Sequence, residues 1–350
     1  MVWRSASRIC CAVSTSMTFI VGKGRDAPRV PFSPVILYFP ESLVRESLPM
    51  RDALDAVEAV FRELGEGEAQ NRPRQRVRVP GRMLHTMSAS SSGFGYLGLK
   101  TYLTSRDAMR FVLLLFDRET ESLAAIMESD ALGQIRTGAA TGVAADYLAA
   151  PGASTVGIVG CGYQAETQLE ALALVRPLIR VEAFCRNPER RARFAATMSA
   201  RLGVEVVPAP SGEAAVRGKP IVVAVTNAAE PVVRGAWLAP GAFVAAAGGN
   251  SLGRRELDGA AVRHAGRIVV DDREQARIEC GDLAPFVASG ELAWDDLETI
   301  GEVVAAGKGS AAAGPALFES QGIAAEDIAV AAVVYERAKA AAVPFPGGGE

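Results

Sequence analysis

The 350-residue chain holds two histidines and five cysteines, and none of the cysteines forms a C-x-x-C pair. A structural zinc site needs closely spaced thiolate and imidazole ligands, so no metal is expected. Scattered thiols at Cys10, Cys11, Cys161, Cys185 and Cys280 fit a reducing, cytoplasmic setting. No run of 18 apolar residues occurs, so no membrane-spanning helix is expected. Basic and acidic residues nearly cancel, to a formal charge of -3, and there is no basic stripe to meet a nucleic acid. Aromatics are only 6% of residues while apolar residues reach 49%, so the chain can bury a core of ordinary size. The length suits about two domains. The opening "MVWRSASRICCAVSTSMTFIVGKGRDAPRV" has Arg4 near its start, a broken apolar segment and no clear small-residue cleavage site. Residues 1–34 therefore read as a disordered extension or an early start codon, with Met17 as another start; a cleaved signal is the alternative.

What is present begins at the midpoint. "TVGIVGCGYQAETQLEAL", residues 155–172, places a β-branched strand before a glycine turn and an alanine-rich helix. Gly160 and Gly162 permit torsions and close approaches that a Cβ would block, and the helix start offers N–H groups and a positive dipole end to an anion. The pattern is G-x-G-x-x-A, with Ala165 at the position that need only be small, as in dinucleotide folds. A tight strand-to-helix turn that binds nothing is the bland reading. About 20 residues on, where NAD-binding folds present a carboxylate to the ribose, stand Phe184-Cys185-Arg186-Asn187. A guanidinium matches a 2′-phosphate, so Arg186 favours NADP(H) over NAD(H), with NAD(H) still open. Arg190 and Arg191 open the next helix, and at least one of them reads as a solvated helix face.

Before the midpoint the pattern differs. A strand near residue 36 leads into an amphipathic helix with Leu54, Val57, Val60, Phe61 and Leu64 on one face and Gly65 as its stop. Strands follow at "RQRVRVP", "GRMLHTM", "YLGLKTYL", "FVLLLFD" and "LAAIME", then a helix "ALGQIRTGAATGVAADYLA" with Asp130 as its N-cap, ending at Pro151-Gly152. Strand and helix alternate after residue 150, and "GIAAEDIAVAAVVYERAKAAA" reads as an amphipathic helix long enough to return to the first domain. The expected class is α/β: a Rossmann-type dinucleotide-binding domain, residues 151–317, plus a β-rich α+β substrate and dimerisation domain, residues 35–150 with 318–345, completed by the C-terminal helix.

In order along the chain, "LPMRDALDAVEAVF", Lys100 in "LGLKTY", "IRTGAATGVAADYLA", "GIVGCGYQA", "VTNAAEPVV" before "WLAPGAFVAAAGGN", "RRELD", "CGDL" and "GIAAEDIAVAAVVYERA" resemble the ornithine cyclodeaminase/mu-crystallin family, over about residues 36–340. The resemblance implies a homodimer that pairs sheets across its interface, NAD(P)(H) on the Rossmann domain, and an active site in the cleft for a small amino or imino acid. It implies that Arg74, Lys100 and Arg136 are the cationic substrate contacts. Thr137, Gly160, Gly162, Tyr163, Gln164, Ala165, Arg186, Asn187, Thr226 and Asn227 are the expected cofactor positions.

Chemistry sorts the family's reactions. An arginine grips a carboxylate as a planar fork, which suits Arg74 and Arg136, and Lys100 can protonate an imine nitrogen if burial and the arginines lower its pKa. As a bland alternative, Arg74 is a surface residue, Arg136 an exposed helix salt bridge and Lys100 a surface lysine. Cyclodeaminases of the family carry an aspartate where Asn250 stands, and an amide cannot exchange a proton near neutral pH. Asn250 thus counts as a catalytic position whose identity weighs against ornithine cyclisation. Glu256 and Asp258 are the acids that could enter the cleft instead, or simply charges at a helix start. The expected function is NAD(P)H-dependent reduction of a small carboxylate-bearing ketimine, or the reverse oxidation of an amino acid. Ornithine cyclodeaminase is the alternative, and a non-catalytic NADPH-dependent binder a further one. His85, His264 and Cys161 read as structural. The alanine and glycine run in "GEVVAAGKGSAAAGPALFESQGIA" departs from the family; it is expected to loosen the crossing back to the first domain and to leave the assignment of site residues unchanged.

Overall fold

Two prolines punctuate the start of the computed structural model, which describes residues 35–105, 109–309 and 314–345. The expected extension, residues 1–34, lies outside them. Strand β1 (Leu37–Phe39) stops at Pro40, which precedes helix α1 (Glu41–Ser47), and Pro49 precedes helix α2 (Met50–Glu66). Proline needs no N–H donor there and its fixed φ suits a helix entry. Helix α2 buries Ala53, Leu54, Val57, Val60 and Phe61. It does not stop at Gly65. The left-handed C-cap is Gly67, φ 79°, and Gly65 serves packing instead: a Cβ there would fall 2.2 Å from the Gly301 carbonyl oxygen.

Strands β2 (Ala69–Val79), β3 (Arg82–Ser91), β4 (Tyr96–Thr104), β5 (Met109–Asp117) and β6 (Ser122–Glu128) form an antiparallel meander, and β1 joins β6 in parallel. The pairing of β2 with β3 slips between Arg72 and Gln75. Pro73 has no N–H for the ladder, and the bulge re-aims Arg74, whose backbone N–H donates to Gln275 Oε1 at 2.8 Å.

Helix α3 (Asp130–Leu148) is buried on nearly every face, so its small residues were selected for close packing on all sides. Asp130 is its first helical residue and not the N-cap; Ser129 occupies that position without a side-chain bond, and Glu41 accepts the N–H groups of Asp130 and Ala131 at 3.1 and 2.6 Å. A carboxylate from another helix thus does the work expected of Asp130.

The second half alternates: β7 (Thr155–Val159), α4 (Tyr163–Val175), β8 (Arg180–Phe184), α5 (Pro188–Leu202), β9 (Glu205–Pro208), α6 (Gly212–Val216), β10 (Ile221–Ala224), β11 (Phe243–Ala246), α7 (Gly259–Arg263), β12 (Arg267–Val270), α8 (Arg273–Glu279), α9 (Ala284–Ala288), β13 (Glu298–Thr299), α10 (Ile300–Ala306) and β14 (Ala316–Glu319). Its strands form one parallel sheet in the order β13-β12-β14-β11-β10-β7-β8-β9. Four-residue strands such as "IVVA" and "FVAA" are buried throughout, as a sheet covered on both faces requires. Strand β14 runs to Glu319, past the expected division at residue 317, and the chain crosses over at Ser320–Ile323. Helix α11 (Ala324–Ala338) then packs against α2, β3 and β4, and β15 (Val343–Pro344) closes the first sheet as β15-β1-β6-β5-β4-β3-β2. The expected amphipathic pattern of α11 is overridden: burial extends around its first three turns, Glu326 and Asp327 included.

Candidate active site

A cavity of about 1690 Å³ opens between the two sheets. Its parallel-sheet wall is made by backbone. At the end of β7, Gly160 takes φ +119°, and a Cβ there would lie 2.3 Å from the Val225 carbonyl oxygen. Its N–H donates to the Phe184 carbonyl at 2.8 Å, tying the turn to β8. Gly162 has nothing within 4 Å of where a Cβ would stand, leaving open space at the start of α4. Tyr163 and Gln164 line the cavity there, whereas Ala165 is fully buried and packs beneath. Arg186, Asn187 and Arg190 line the cavity beyond β8. Asn187 Oδ1 accepts the Arg190 N–H at 2.7 Å and caps α5, while Arg191 turns aside onto the Phe184 ring. Cys161 is buried, and burial together with the Cys185 thiol raises its pKa.

Thr226 and Asn227 line the same wall after β10. The Thr226 N–H and hydroxyl donate to Glu256 Oε1 at 2.6 and 2.7 Å, and the Gly248 N–H donates to Glu256 Oε2 at 2.7 Å. Glu256 therefore does not enter the cleft as an acid. It is fully buried, staples the loops after β10 and β11, and burial pushes its pKa up to about 7 against those hydrogen bonds. Asp258 caps α7 and also accepts the Gly235 N–H.

The antiparallel-sheet wall is made by charge. Lys100 on β4 is fully buried and its Nζ donates to Asp327 Oδ1 at 2.9 Å; the same oxygen accepts Arg136 Nε at 2.9 Å. Arg136 Nη1 reaches Glu326 Oε2 at 2.8 Å. Its Nη2 has no partner among the described residues. Burial lowers the Lys100 pKa, Asp327 opposes this, and Arg136 and Arg74 reinforce it, leaving it near 8. Burial would raise Asp327, but the cations beside it hold its pKa below the usual range. Glu326 goes the other way, pushed by burial up to about 8 despite Arg136. Gly133 leaves room for this arrangement, since a Cβ there would meet Lys100 Nζ at 2.7 Å. Thr137 also lines the cavity, its hydroxyl returned to the Gly133 carbonyl at 2.7 Å.

Arg74 is neither a surface residue nor an uncommitted fork. It is buried, paired with Glu279 of α8, and its Nη2 donates to the Gln321 and Gly322 carbonyls at 3.2 and 3.1 Å. The end of the alanine and glycine run thus meets the site through those two carbonyls; residues 310–313 lie outside the described residues. Asn250 lines the cavity, its carbonyl accepting Arg76 Nη2 at 3.1 Å and its Oδ1 accepting Arg254 Nη1 at 3.4 Å.

Sequence reasoning missed Asp327, Glu326 and Glu279. The first two resemble ordinary acidic residues at a helix start, and only their place at the head of an apolar helix hinted at burial. It also set aside His85, which lines the cavity stacked on Tyr102 at 4.3 Å, with burial and then Arg76 lowering its pKa to about 4.

Comparisons with known proteins agree with this geometry. The model of the ornithine cyclodeaminase/mu-crystallin family matches residues 40–342. The chain is 34% identical over 306 residues to the alanine dehydrogenase of Archaeoglobus fulgidus, covering 84% of this chain and 92% of that one. Among solved structures it is similar to the Thermococcus litoralis Delta(1)-pyrroline-2-carboxylate reductase in complex with NADH and L-proline, with TM-score 0.83, 30% identity, and 89% and 100% of the two chains covered. An archaeal alanine dehydrogenase dimer with bound NAD matches with TM-score 0.82 and 32% identity, over 89% of this chain and 99% of that one. A match along nearly the whole described chain leaves one conclusion: the protein belongs to the ornithine cyclodeaminase/mu-crystallin family.

Proposed function

We propose that the protein reduces a small carboxylate-bearing imine with a nicotinamide cofactor, and runs in reverse as an amino acid dehydrogenase. The observation that carries this reading is Lys100: a buried ammonium with a pKa near 8, held by one carboxylate oxygen, on the wall opposite the glycine turn.

The turn fits a dinucleotide. Gly160 makes a bend that no other residue could make beside Val225, and the open face of Gly162 lets a pyrophosphate approach the N–H groups of α4. Gly160, Gly162, Tyr163, Gln164, Thr137, Thr226 and Asn227 would hold the cofactor, with Ala165 packing beneath. Bound there in reduced form, the cofactor supplies a hydride. Arg186, exposed at the end of β8 with Arg190 beside it, supports NADP(H) as the preferred form.

The chain's own groups do the rest. Arg136 has an uncommitted Nη2 to take a substrate carboxylate, and its Nε and Nη1 are fixed by Asp327 and Glu326, so little entropy is lost on binding. Arg74 serves the substrate in a second way, holding β2, α8 and the crossover loop around the pocket and adding positive charge. Lys100 retains two N–H donors beyond its bond to Asp327 and gives a proton to the imine nitrogen as the carbon is reduced. Asn250 can orient an amine but cannot accept its proton, which supports reduction over cyclodeamination.

Val77, Leu84, Leu97, Leu103 and Phe116 stand exposed on the face of the first sheet turned away from the cavity. Such a patch supports a homodimer built on this face. The test is NADPH and NADH oxidation with a panel of imines, alongside the mass of the protein in solution. Turnover with any imine supports the reading; proline and ammonia from ornithine without turnover of imines would replace it with cyclodeamination.

A further inference from the structure

The inner face of the first sheet is built in tiers. Arg74 lies beside Met87 and Lys100; one step along, Arg76, His85, Tyr102 and Phe111 stand in register; one step further, Arg78, Met83, Thr104 and Met109 do. Successive tiers lie about 7 Å apart, two residues along a strand. The charges of the first tier are answered: Lys100 and Arg136 by Asp327 and Glu326, Arg74 by Glu279, which also takes Arg76. Beyond Arg76 they are not. Arg78 and Arg254 both line the cavity, and neither is paired with a carboxylate among the described residues. Arg76 and Arg254 converge on the two oxygens of Asn250, which draws the loop after β11 against this part of the sheet.

A second observation is independent of the arginines. Tyr102 is 7% exposed, lines the cavity, and its hydroxyl has no hydrogen-bond partner among the described residues. His85 and Phe111 pack on its two sides, so the ring is held and its tip is aimed into the space. The ring is buried while its hydroxyl faces the cavity, free to donate to an anion that enters it.

We infer that Tyr102, Arg78 and Arg254 form a second anion-reading subsite, and that the substrate is the imine of a four- or five-carbon oxo diacid. This rests on the imine-reductase reading above. One carboxylate sits at the Arg136 and Lys100 tier. The side-chain carboxylate reaches one tier out, where the Tyr102 hydroxyl donates to it, and Arg254 and the Arg78 guanidinium of the next tier supply charge. Asn250 has a part in this. An aspartate at 250 would pair with Arg254 and cancel its charge, whereas the amide holds the guanidinium and leaves the charge standing. In the reaction, the oxo acid and ammonia condense with loss of water; a hydride from reduced cofactor then adds to the imine carbon and a proton to its nitrogen, giving the amino diacid and oxidised cofactor.

The test compares kcat/KM for oxaloacetate or 2-oxoglutarate with ammonium against pyruvate with ammonium and a five-membered cyclic imino acid. The expected result is a preference for the diacids of at least about tenfold. In Arg78→Ala combined with Arg254→Ala, in Tyr102→Phe and in Asn250→Asp, the ratio of diacid to monoacid efficiency falls. Equal or better efficiency on the monoacids in the unaltered enzyme, or variants that lower both classes alike, would overturn the subsite and leave the reductase reading standing. If no imine turns over, the reductase reading fails, and binding decides the subsite: succinate should perturb the fluorescence of bound NADPH at far lower concentration than propionate, and this advantage should vanish in the Arg78 and Arg254 double variant. Equal binding would overturn it.

Discussion

The two walls of the cavity are built by opposite strategies. The parallel-sheet wall works through backbone: Gly160, Gly162 and the N-terminus of α4 lie within a few consecutive residues, and their use follows from local torsions. The antiparallel-sheet wall works through charge gathered from far apart, with Arg74, Lys100, Arg136, Glu279 and Asp327 brought together from β2, β4, α3, α8 and α11. A local device tolerates changes elsewhere in the fold, whereas an assembled one depends on every element that contributes a charge. Substitutions that strike one wall alone make the difference measurable.

The largest effect is expected at Lys100. Lys100→Met removes the proposed proton donor, and imine reduction should fall by about a thousandfold, while binding of NADPH, read by fluorescence, stays close to that of the unaltered protein. The parallel-sheet wall has no Lys100 atom in it. A loss of cofactor binding equal to the loss of turnover would mean that the walls are not separable. Lys100→Arg keeps the charge but raises the pKa, so the fall in rate expected above about pH 8 should move to higher pH.

The reciprocal experiment is Gly160→Ala. At φ +119° and with its Cβ 2.3 Å from a carbonyl oxygen, alanine must displace the turn, a strain of about 1–3 kcal/mol before any loss of fit. NADPH affinity should drop about tenfold or more, and thermal stability should fall with it. Gly162→Ala is the control within the same motif: space is open there, so its effect on stability should be small and its effect on cofactor affinity separate. Equal destabilisation by both would sink the account of the turn.

A finer division of the same wall concerns Arg186. Arg186→Ser should lower the proposed preference for NADPH over NADH by about tenfold, since the charge-assisted pair proposed to a 2′-phosphate would be removed. Arg191→Ser should do less, because that side chain is occupied with Phe184 and the Cys185 carbonyl. The two variants are compared by kcat/KM with each cofactor.

The same contrast explains what the sequence made legible. Strand β7, its turn and α4 follow one another, so spacing alone disclosed them. The existence of most elements of the first sheet was legible too, from runs such as "FVLLLFD". Their ends were not: Gly65 lies inside α2 because α10 needs a close approach there, and that requirement is tertiary. Family register found Lys100 and Arg136. Nothing local in "AEDIAVAA" tells that Asp327 meets a lysine 227 residues away, because such a contact exists only once α11 has crossed back onto the first sheet. Arg74 shows the same limit, since its bulge follows from Pro73 but its partner Glu279 does not.

The smallest effect, and the one that joins both walls, is on stability against pH. In the parallel-sheet half, burial raises Glu256 and Asp271 to about 7 and Asp282 to about 6, and Glu326 on α11 is raised to about 8. Between their unfolded values, near 4, and these folded values the native state holds more protons than the unfolded chain, so stability falls as pH rises through that window. Lys100 has the opposite sign. Its folded pKa near 8 lies below its ordinary value of 10.5, so between these the native state holds fewer protons and stability rises with pH. Burial also raises Glu319, Cys161 and Cys280, which oppose Lys100 above pH 8. The melting temperature should therefore fall by several degrees from pH 5.5 to 8 and change less beyond it. In Lys100→Met the fall should persist and continue more steeply above pH 8, because the group that opposes it is gone. Thermal melts of the cofactor-free protein at pH 5.5, 8 and 9.5 decide this. A steady rise in stability from pH 5.5 to 8 would mean that those carboxyls reach water in the folded state, and the closed packing described around Glu256 would have to be abandoned.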